Sequence, residues 1–259
     1  MYEFEFETPA TVAEAVAALA EEEAQALGGG QTLIPTLKQR LAMPSKLVSL
    51  AGIAEMKGVS IADGVLTIGG GATHADVAAE ACPPLAALAA GIGDPAVRNR
   101  GTIGGSLANN DPAADYPAAM LALKSTIVTD RREIAGDDFF QGLFETALDE
   151  GEIITGVRCD IPEAAHYQKF DQPASRFALV GVFVAKYADG VRVGVTGASE
   201  EGAFRWREAE AALSASFAPD ALEGLSLDAG SMMGDLHGSK DYRAHLVAVM
   251  TKRAVAAIS

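Results

Sequence analysis

Thr102-Ile103-Gly104-Gly105-Ser106-Leu107-Ala108-Asn109-Asn110-Asp111-Pro112-Ala113-Ala114-Asp115 is the stretch around which this chain is organised. It holds two adjacent glycines, short polar side chains that bond their own backbone, a proline and two carboxylates. Such a density of φ-permissive and turn-forming residues predicts a loop, not the interior of a strand or helix. A loop of this kind brings bare backbone N–H groups close to an anion. A second stretch of the same character lies far upstream: Gly28-Gly29-Gly30-Gln31-Thr32-Leu33-Ile34-Pro35. Either one alone reads as a glycine turn. The two together predict opposite walls of one site for a phosphate-bearing ligand.

Composition bounds what surrounds that site. A chain of 259 residues makes one large domain, or a main domain with a smaller one. Hydrophobic residues make up 49% and aromatics 6%, so the core is built from Ala, Val, Leu and Ile. No run of about 18 apolar residues occurs, so no membrane span is expected. The opening MYEFEFE lacks the basic and apolar regions of a signal peptide, which makes a cytoplasmic location the expectation. A formal charge of −15 argues against nucleic acid as a partner. It does not exclude a diphosphate, because backbone amides and helix N-termini need no net positive charge to hold one. Cys82 and Cys159 stand far apart with no partner motif and read as plain thiols, not as part of a disulfide, zinc or iron–sulfur site. The four histidines are scattered, so no metal site is expected; His74 reads as first-turn surface or a cap.

Along the chain, Tyr2, Phe4 and Phe6 alternate with glutamates, which predicts a half-buried first strand. Thr11 and Glu14 form a capping box ahead of an amphipathic helix running to about Ala24. Ala24 to Leu27 is a short strand entering the first glycine stretch. That stretch lacks GxGxxG and an acid at the Rossmann distance, so it is not a nicotinamide-type fingerprint. Asp63-Gly64 turns a hairpin between residues 58 and 69. Gly69-Gly70-Gly71 reads as a plain strand-to-helix turn, with Thr73 and Asp76 starting the helix. Arg98 and Arg100 are suited either to a phosphate or to local acids, and both readings stay open. Tyr116 to Leu123 is an apolar helix whose N-terminus points back at the second stretch, a geometry that favours an anion. From about Arg176 the texture changes: a long apolar hairpin turns at Ala188-Asp189-Gly190, and helices follow. This predicts a small α+β C-terminal unit.

GGGQTLIP near residue 30, TIGGSLANNDPAADYP near 105 and DLHGSKDYRAHL near the end together resemble the FAD-binding medium subunit of molybdenum-containing hydroxylases, the group of carbon monoxide dehydrogenase, quinoline oxidoreductase and the flavin domain of xanthine dehydrogenase. The resemblance covers nearly the whole chain. It implies an α+β, two-subdomain FAD-binding fold of the vanillyl-alcohol-oxidase (PCMH) type, with FAD between the subdomains, and a small α+β C-terminal domain. The implied division is 1–175 for the FAD-binding domain, its subdomains roughly 1–55 and 56–175, and 176–259 for the C-terminal domain.

The resemblance also implies roles by position. Gly28, Gly29, Gly30, Gln31 and Thr32, with Leu33 and Ile34 behind them, and Thr102, Ile103, Gly104, Gly105 and Ser106 would wrap the FAD diphosphate from two sides. Gln31-Thr32 stands where some relatives carry His-Ser, and both pairs supply a polar tip. Asp115 matches the acid that binds the sugar-like part of the flavin, in keeping with a carboxylate that accepts from hydroxyls and repels phosphate. Ile92 would cover the isoalloxazine ring, Ile154 would offer backbone contacts to its edge, and Lys169 and Phe177 would flank it. The implied activity is electron transfer with no catalytic residue of the protein's own. A molybdopterin-containing large subunit oxidises the substrate, a small subunit carries electrons through [2Fe–2S] clusters, and FAD passes them to an external acceptor, the whole forming a dimer of heterotrimers. The alternatives are a stand-alone FAD oxidoreductase of the same fold and a non-catalytic, partner-binding chain.

Overall fold

In the computed structural model, which describes residues 1–258, a single lysine accounts for the acidic N-terminus. Strand β1 (Glu5–Glu7) is followed by helix α1 (Val12–Leu19), β2 (Ala24–Leu27), α2 (Leu33–Lys38) and β3 (Lys46–Ser49). The three strands form a parallel sheet in the order β1-β3-β2, and β3 is buried throughout. Lys46 Nζ lies 2.5 Å from Glu21, 3.2 Å from Glu7 and 3.7 Å from Glu5. Side chains two apart on a strand share a face, so Glu5 and Glu7 turn to the cation and the aromatics turn away. Tyr2 and Phe6 are 45% and 58% exposed, so of the expected half-buried aromatic face only Phe4 is half-buried. Thr11 caps α1 by accepting the Glu14 N–H, while the Glu14 carboxylate takes the N–H of Ala10. The helix stops at Leu19 and not near Ala24, because Glu21-Glu22-Glu23 would set three negative charges at the negative end of its dipole; Glu23 leaves with φ 58°.

The second sheet builds the main core. Strands β4 (Val59–Ala62) and β5 (Val65–Gly69) form the expected hairpin, with Asp63 and Gly64 both at positive φ, 50° and 77°, as a two-residue turn requires. Helices α3 (His74–Glu80), α4 (Pro83–Ala90), α5 (Pro95–Arg98), α6 (Ile103–Asn109) and α7 (Tyr116–Ala122) follow. Then come β6 (Thr126–Thr129), β7 (Glu133–Ala135), α8 (Gly136–Phe139), the small hairpin β8 (Phe140–Gly142) and β9 (Glu145–Thr146), and β10 (Ile154–Asp160). The sheet runs β4-β5-β10-β6-β7 and is antiparallel throughout. Its core joins Leu66, Ile68 and Val157 of the strands to Leu85, Leu107 and Met120 of the helices. Cys82 and Cys159 are buried free thiols in that core.

The third sheet is a meander of β11 (Ala164–Asp171), β12 (Ala178–Tyr187), β13 (Gly190–Ser199) and β14 (Gly202–Arg205), with α9 (Arg207–Ala215) and α10 (Lys240–Ile258) against it. Strand β12 is buried on both faces, which explains its unbroken apolar run: Val180, Val182 and Val184 pack with the two helices, and Phe183 and Ala185 pack into the second sheet's core. Because β11 pairs with β12 along its length, this sheet starts at Ala164, ahead of the boundary expected at 175. Among the described residues no helix is long and apolar enough to cross a membrane.

Candidate cofactor-binding site

Gly28-Gly29-Gly30 leaves the C-terminal end of β2 in the parallel sheet, the edge where α/β sheets open their crevices. The two glycine stretches, far apart in sequence, meet there. A Cβ on Gly29 would stand 1.8 Å from the Arg100 carbonyl oxygen and 2.6 Å from Gly101 Cα, and one on Gly28 would stand 2.9 Å from Thr102 Oγ1. No side chain fits at Gly29 without parting the two backbones. Between them runs a cleft of about 980 Å³, walled further by Gly70, Gly71, Ile92 and Ile154. Gly70 and Gly71 of the Gly69-Gly70-Gly71 turn thus also line the site.

The two walls differ in what they offer an anion. Among the described residues, none accepts the backbone N–H groups of Gly28 through Leu33. On the other wall, Ile103 donates to Ala72 (3.0 Å), Gly104 to Gly70 (2.9 Å) and Ser106 to Thr102 (3.0 Å); Gly105 donates to Thr102 Oγ1 (3.1 Å). These bonds correct the expectation of a loop. Thr102 is an N-cap and Ile103–Asn109 is a helix. The glycines serve close approach, for a Cβ on Gly104 would lie 2.6 Å from the Gly70 carbonyl oxygen. Asn110 ends the helix at φ 42°, and its buried amide holds the carbonyls of Gly142 and Glu145.

Most of the expected residues line the cleft: Gly28 through Leu33, Ile92, Thr102, Gly104, Gly105, Ser106, Asp115, Ile154 and Phe177. Phe177 is 50% exposed. Three of the expected residues do not line it. Ile34 packs beneath Gly30, Ile103 is wholly buried in the core, and Lys169 stands behind Asp115.

Asp115 is buried at the start of α7, where its side chain makes no cap. Tyr167 donates its hydroxyl to Asp115 Oδ1 at 2.5 Å, and Lys169 Nζ lies 3.0 Å from the same oxygen. Burial pushes the Asp115 carboxyl up, against the pull of Lys169. Lys169 also reaches the Gly91 carbonyl at 3.3 Å, tying the carboxylate to the loop that carries Ile92. Among the described residues Arg98 pairs with no acid: its Nη1 donates to the carbonyls of Ile92 and Gly93 at 2.9 and 3.1 Å, which fixes that loop. Arg100 lines the cleft.

Sequence reasoning missed two residues. Glu152, beside Ile153 and Ile154, lines the cleft; it accepts from Thr129 Oγ1 (2.7 Å) and from Arg132 Nε and Nη2 (3.0 and 2.9 Å). The Arg132 bonds lead in holding its carboxyl down at about 2. Its spacing carries no motif. His74, expected at the surface, is 5% exposed and lines the cleft. Burial, then the nearby Arg98 charge, lowers its pKa to about 4, so the ring is neutral at pH 7. Tyr116, distant in sequence, packs on its ring with centroids 5.4 Å apart, and Gly101 lies against its Nε2; no local pattern announces either contact.

The family profile described as "FAD binding domain in molybdopterin dehydrogenase" matches residues 2–164. The carbon monoxide dehydrogenase medium chain of Hydrogenophaga pseudoflava is 30% identical over an alignment of 276 positions, gaps included, spanning 97% of this chain and 96% of its own length. The nicotine 6-hydroxylase medium subunit of Paenarthrobacter nicotinovorans is 33% identical over 272, spanning 96% and 95%. Among solved structures, quinoline 2-oxidoreductase from Pseudomonas putida 86 superposes with a TM-score of 0.87 at 30% identity, covering 99% of this chain and 97% of the matched one.

Proposed function

The chain belongs to the FAD-binding family of molybdopterin dehydrogenases, and from that premise we propose that it is the electron-transferring flavin subunit of a molybdenum hydroxylase. It takes electrons from the [2Fe–2S] clusters of a small subunit and delivers them to an external acceptor, while a molybdopterin-containing large subunit oxidises the substrate. The relatives that span this chain end to end carry the names medium chain and medium subunit, which supports that assembly. Bound FAD supplies the electron uptake and release.

The observation that carries the reading is the meeting of the two glycine bends over one cleft, with side chains excluded at Gly29 and the N–H groups of Gly28 through Leu33 turned to no protein acceptor. That donor set fits a diphosphate. The cofactor chemistry then falls to the chain's residues as follows. Gly28 through Thr32 hold the diphosphate, and Thr102 through Ser106 form its second wall by packing more than by donation. Asp115, kept in place by Tyr167 and Lys169, accepts from hydroxyls of the ribityl part of the flavin. Ile92 and Ile154 keep water from the ring, and Phe177 flanks it at the mouth. We divide the chain along its sheets, into a unit to about residue 55, a second ending before Ala164, and a C-terminal unit.

The test is to assemble the complex with and without this chain and add the large subunit's substrate. The expected result is that clusters are reduced in both, while acceptor is reduced only when the FAD-loaded chain is present. Acceptor reduction by the isolated chain with its own substrate would instead support a stand-alone oxidoreductase. A chain that binds no FAD would overturn the site.

A further inference from the structure

Tyr116 and His74 form a buried pair that none of the roles above uses. Tyr116 is wholly buried, and its hydroxyl has one partner among the described residues, His74 Nδ1 at 3.2 Å. Burial keeps the phenol protonated, far above its ordinary range. A buried hydroxyl must spend its hydrogen. Were the imidazole proton on Nδ1, that N–H would donate to the phenol oxygen and the phenol hydrogen would be stranded. With the proton on Nε2, Tyr116 donates to Nδ1 and both groups are satisfied. The pair therefore selects the Nε2–H tautomer.

That leaves Nε2 as a donor with no protein acceptor among the described residues. Nε2 is not fully enclosed, and on a ring that is 5% exposed and lines the cleft it is the polar atom left open. Nε2 lies against Gly101, where a Cβ would stand 2.5 Å away; any side chain at 101 would cover it. Gly101 links the carbonyl that meets Gly29 to the Thr102 cap, so the donor sits beside the junction of the two bends. Arg98 donates to the carbonyls of the Ile92 loop and, as a cation, offers Nε2 no acceptor.

We infer that His74 is a neutral N–H donor to the bound cofactor, meeting one of its oxygens beside the junction of the two glycine stretches, with Tyr116 as the positioning residue that fixes its tautomer. The inference rests on the flavin reading of the cleft. A neutral donor there adds directionality without adding charge to a site whose diphosphate is already met by amides.

The experiment uses the full chain loaded with FAD. In ¹⁵N-histidine NMR, His74 is expected as the Nε2–H tautomer, with its N–H shifted between the apo and loaded forms. His74→Leu is expected to raise the FAD dissociation constant about tenfold, the value of one hydrogen bond at its upper range. His74→Gln, whose amide nitrogen reaches the same place, is expected to restore most of the affinity, and Tyr116→Phe to raise the constant severalfold while mixing the tautomers. The Nδ1–H tautomer in the loaded parent would overturn the inference, as would His74→Leu binding FAD as tightly as the parent. A shift in flavin reduction potential at unchanged affinity would also overturn it, by moving the contact to the ring. If His74→Leu does not fold, the tautomer and N–H shift of the parent decide. A parent that binds no FAD fails the site reading instead, a distinct result.

Discussion

Gly29 and Gly105 look equivalent in the sequence and are not. At Gly29 an added methyl meets backbone, the Arg100 carbonyl oxygen at 1.8 Å; at Gly105 it meets only the Thr102 hydroxyl at 3.0 Å. Gly29→Ala is therefore expected to abolish FAD retention and to cost more than about 2 kcal/mol, as overpacking against rigid atoms does. Gly105→Ala is expected to stay within about 1 kcal/mol of the parent. Urea midpoints and FAD titration of the two variants check the difference. Asp115 behaves unlike a surface ligand residue as well. Its removal leaves Lys169, whose side chain is 9% exposed, with only Asp171 at 3.3 Å as a second acid. Asp115→Ala is thus expected to lose about 3 kcal/mol of stability along with FAD affinity, whereas Asp115→Asn keeps the Tyr167 bond and loses less. At this scale the glycine stretches stood out because bare backbone has few other uses in such stretches, while Asp115, one of two carboxylates beside the second, was singled out only through the family resemblance. His74 was not, since burial is a property of what packs on a residue, and Tyr116 arrives from another helix.

Among elements, α6 and the entry to β10 carry the site. The glycines of TIGGS read as loop because glycine weakens helix interiors by about 1 kcal/mol each. That penalty is offset here by the Thr102 cap and by the approach to Gly70 that only glycine allows at 104. Thr102→Val is expected to cost about 1 kcal/mol for the lost cap and to weaken FAD binding, visible as faster flavin loss on dialysis. At β10, the Glu152 carboxylate links Arg132, Thr129 and the Asp149 N–H just before the Ile153-Ile154 backbone. Its folded pKa of about 2 lies below the unfolded carboxylate's, about 4.3. The stabilisation is therefore present above about pH 4.5 and is lost as pH falls towards 2. Screening at the half-exposed Arg132 limits it to about 1–2 kcal/mol. Denaturation of the parent between pH 6 and 3 is expected to show this loss, and Glu152→Gln to be less stable at pH 6 with a flatter acid profile. An equal pH slope in both proteins would remove Glu152 from the account.

For the molecule as a whole, the C-terminal sheet is more than an appended unit. Hydropathy alone foretold its hairpin, β12 and β13, but not that the sheet would begin at Ala164 or that it would grip the site, because pairing between distant strands leaves no local trace. Strand β11 supplies Tyr167 and Lys169 to Asp115. Strand β13 holds the residues just before it: the Gly197 N–H donates to the Pro112 carbonyl at 2.9 Å, and Thr196 Oγ1 lies 2.7 Å from the Ala114 carbonyl and 3.2 Å from that of Pro112. Gly194 lets α7 lie directly on the sheet, a Cβ there standing 2.0 Å from the Ala118 carbonyl oxygen. The segment that presents Asp115 to the cleft is thus clamped from one side by two strands of another sheet. Thr196 is 1% exposed and is not itself part of the cleft lining, which it reaches only through the Ala114 carbonyl, so Thr196→Val is a near-isosteric way to release the clamp. Leaving the Ala114 carbonyl unpaired in the interior is expected to cost about 1–3 kcal/mol. If the sheet positions Asp115, the variant also loosens FAD severalfold while the diphosphate wall at Gly28 through Thr32 stays intact. Isothermal titration with FAD and with ADP separates the two contributions: the FAD constant rises and the ADP constant holds. Equal loss for both ligands would mean that the sheet supports the fold in general and not the carboxylate in particular.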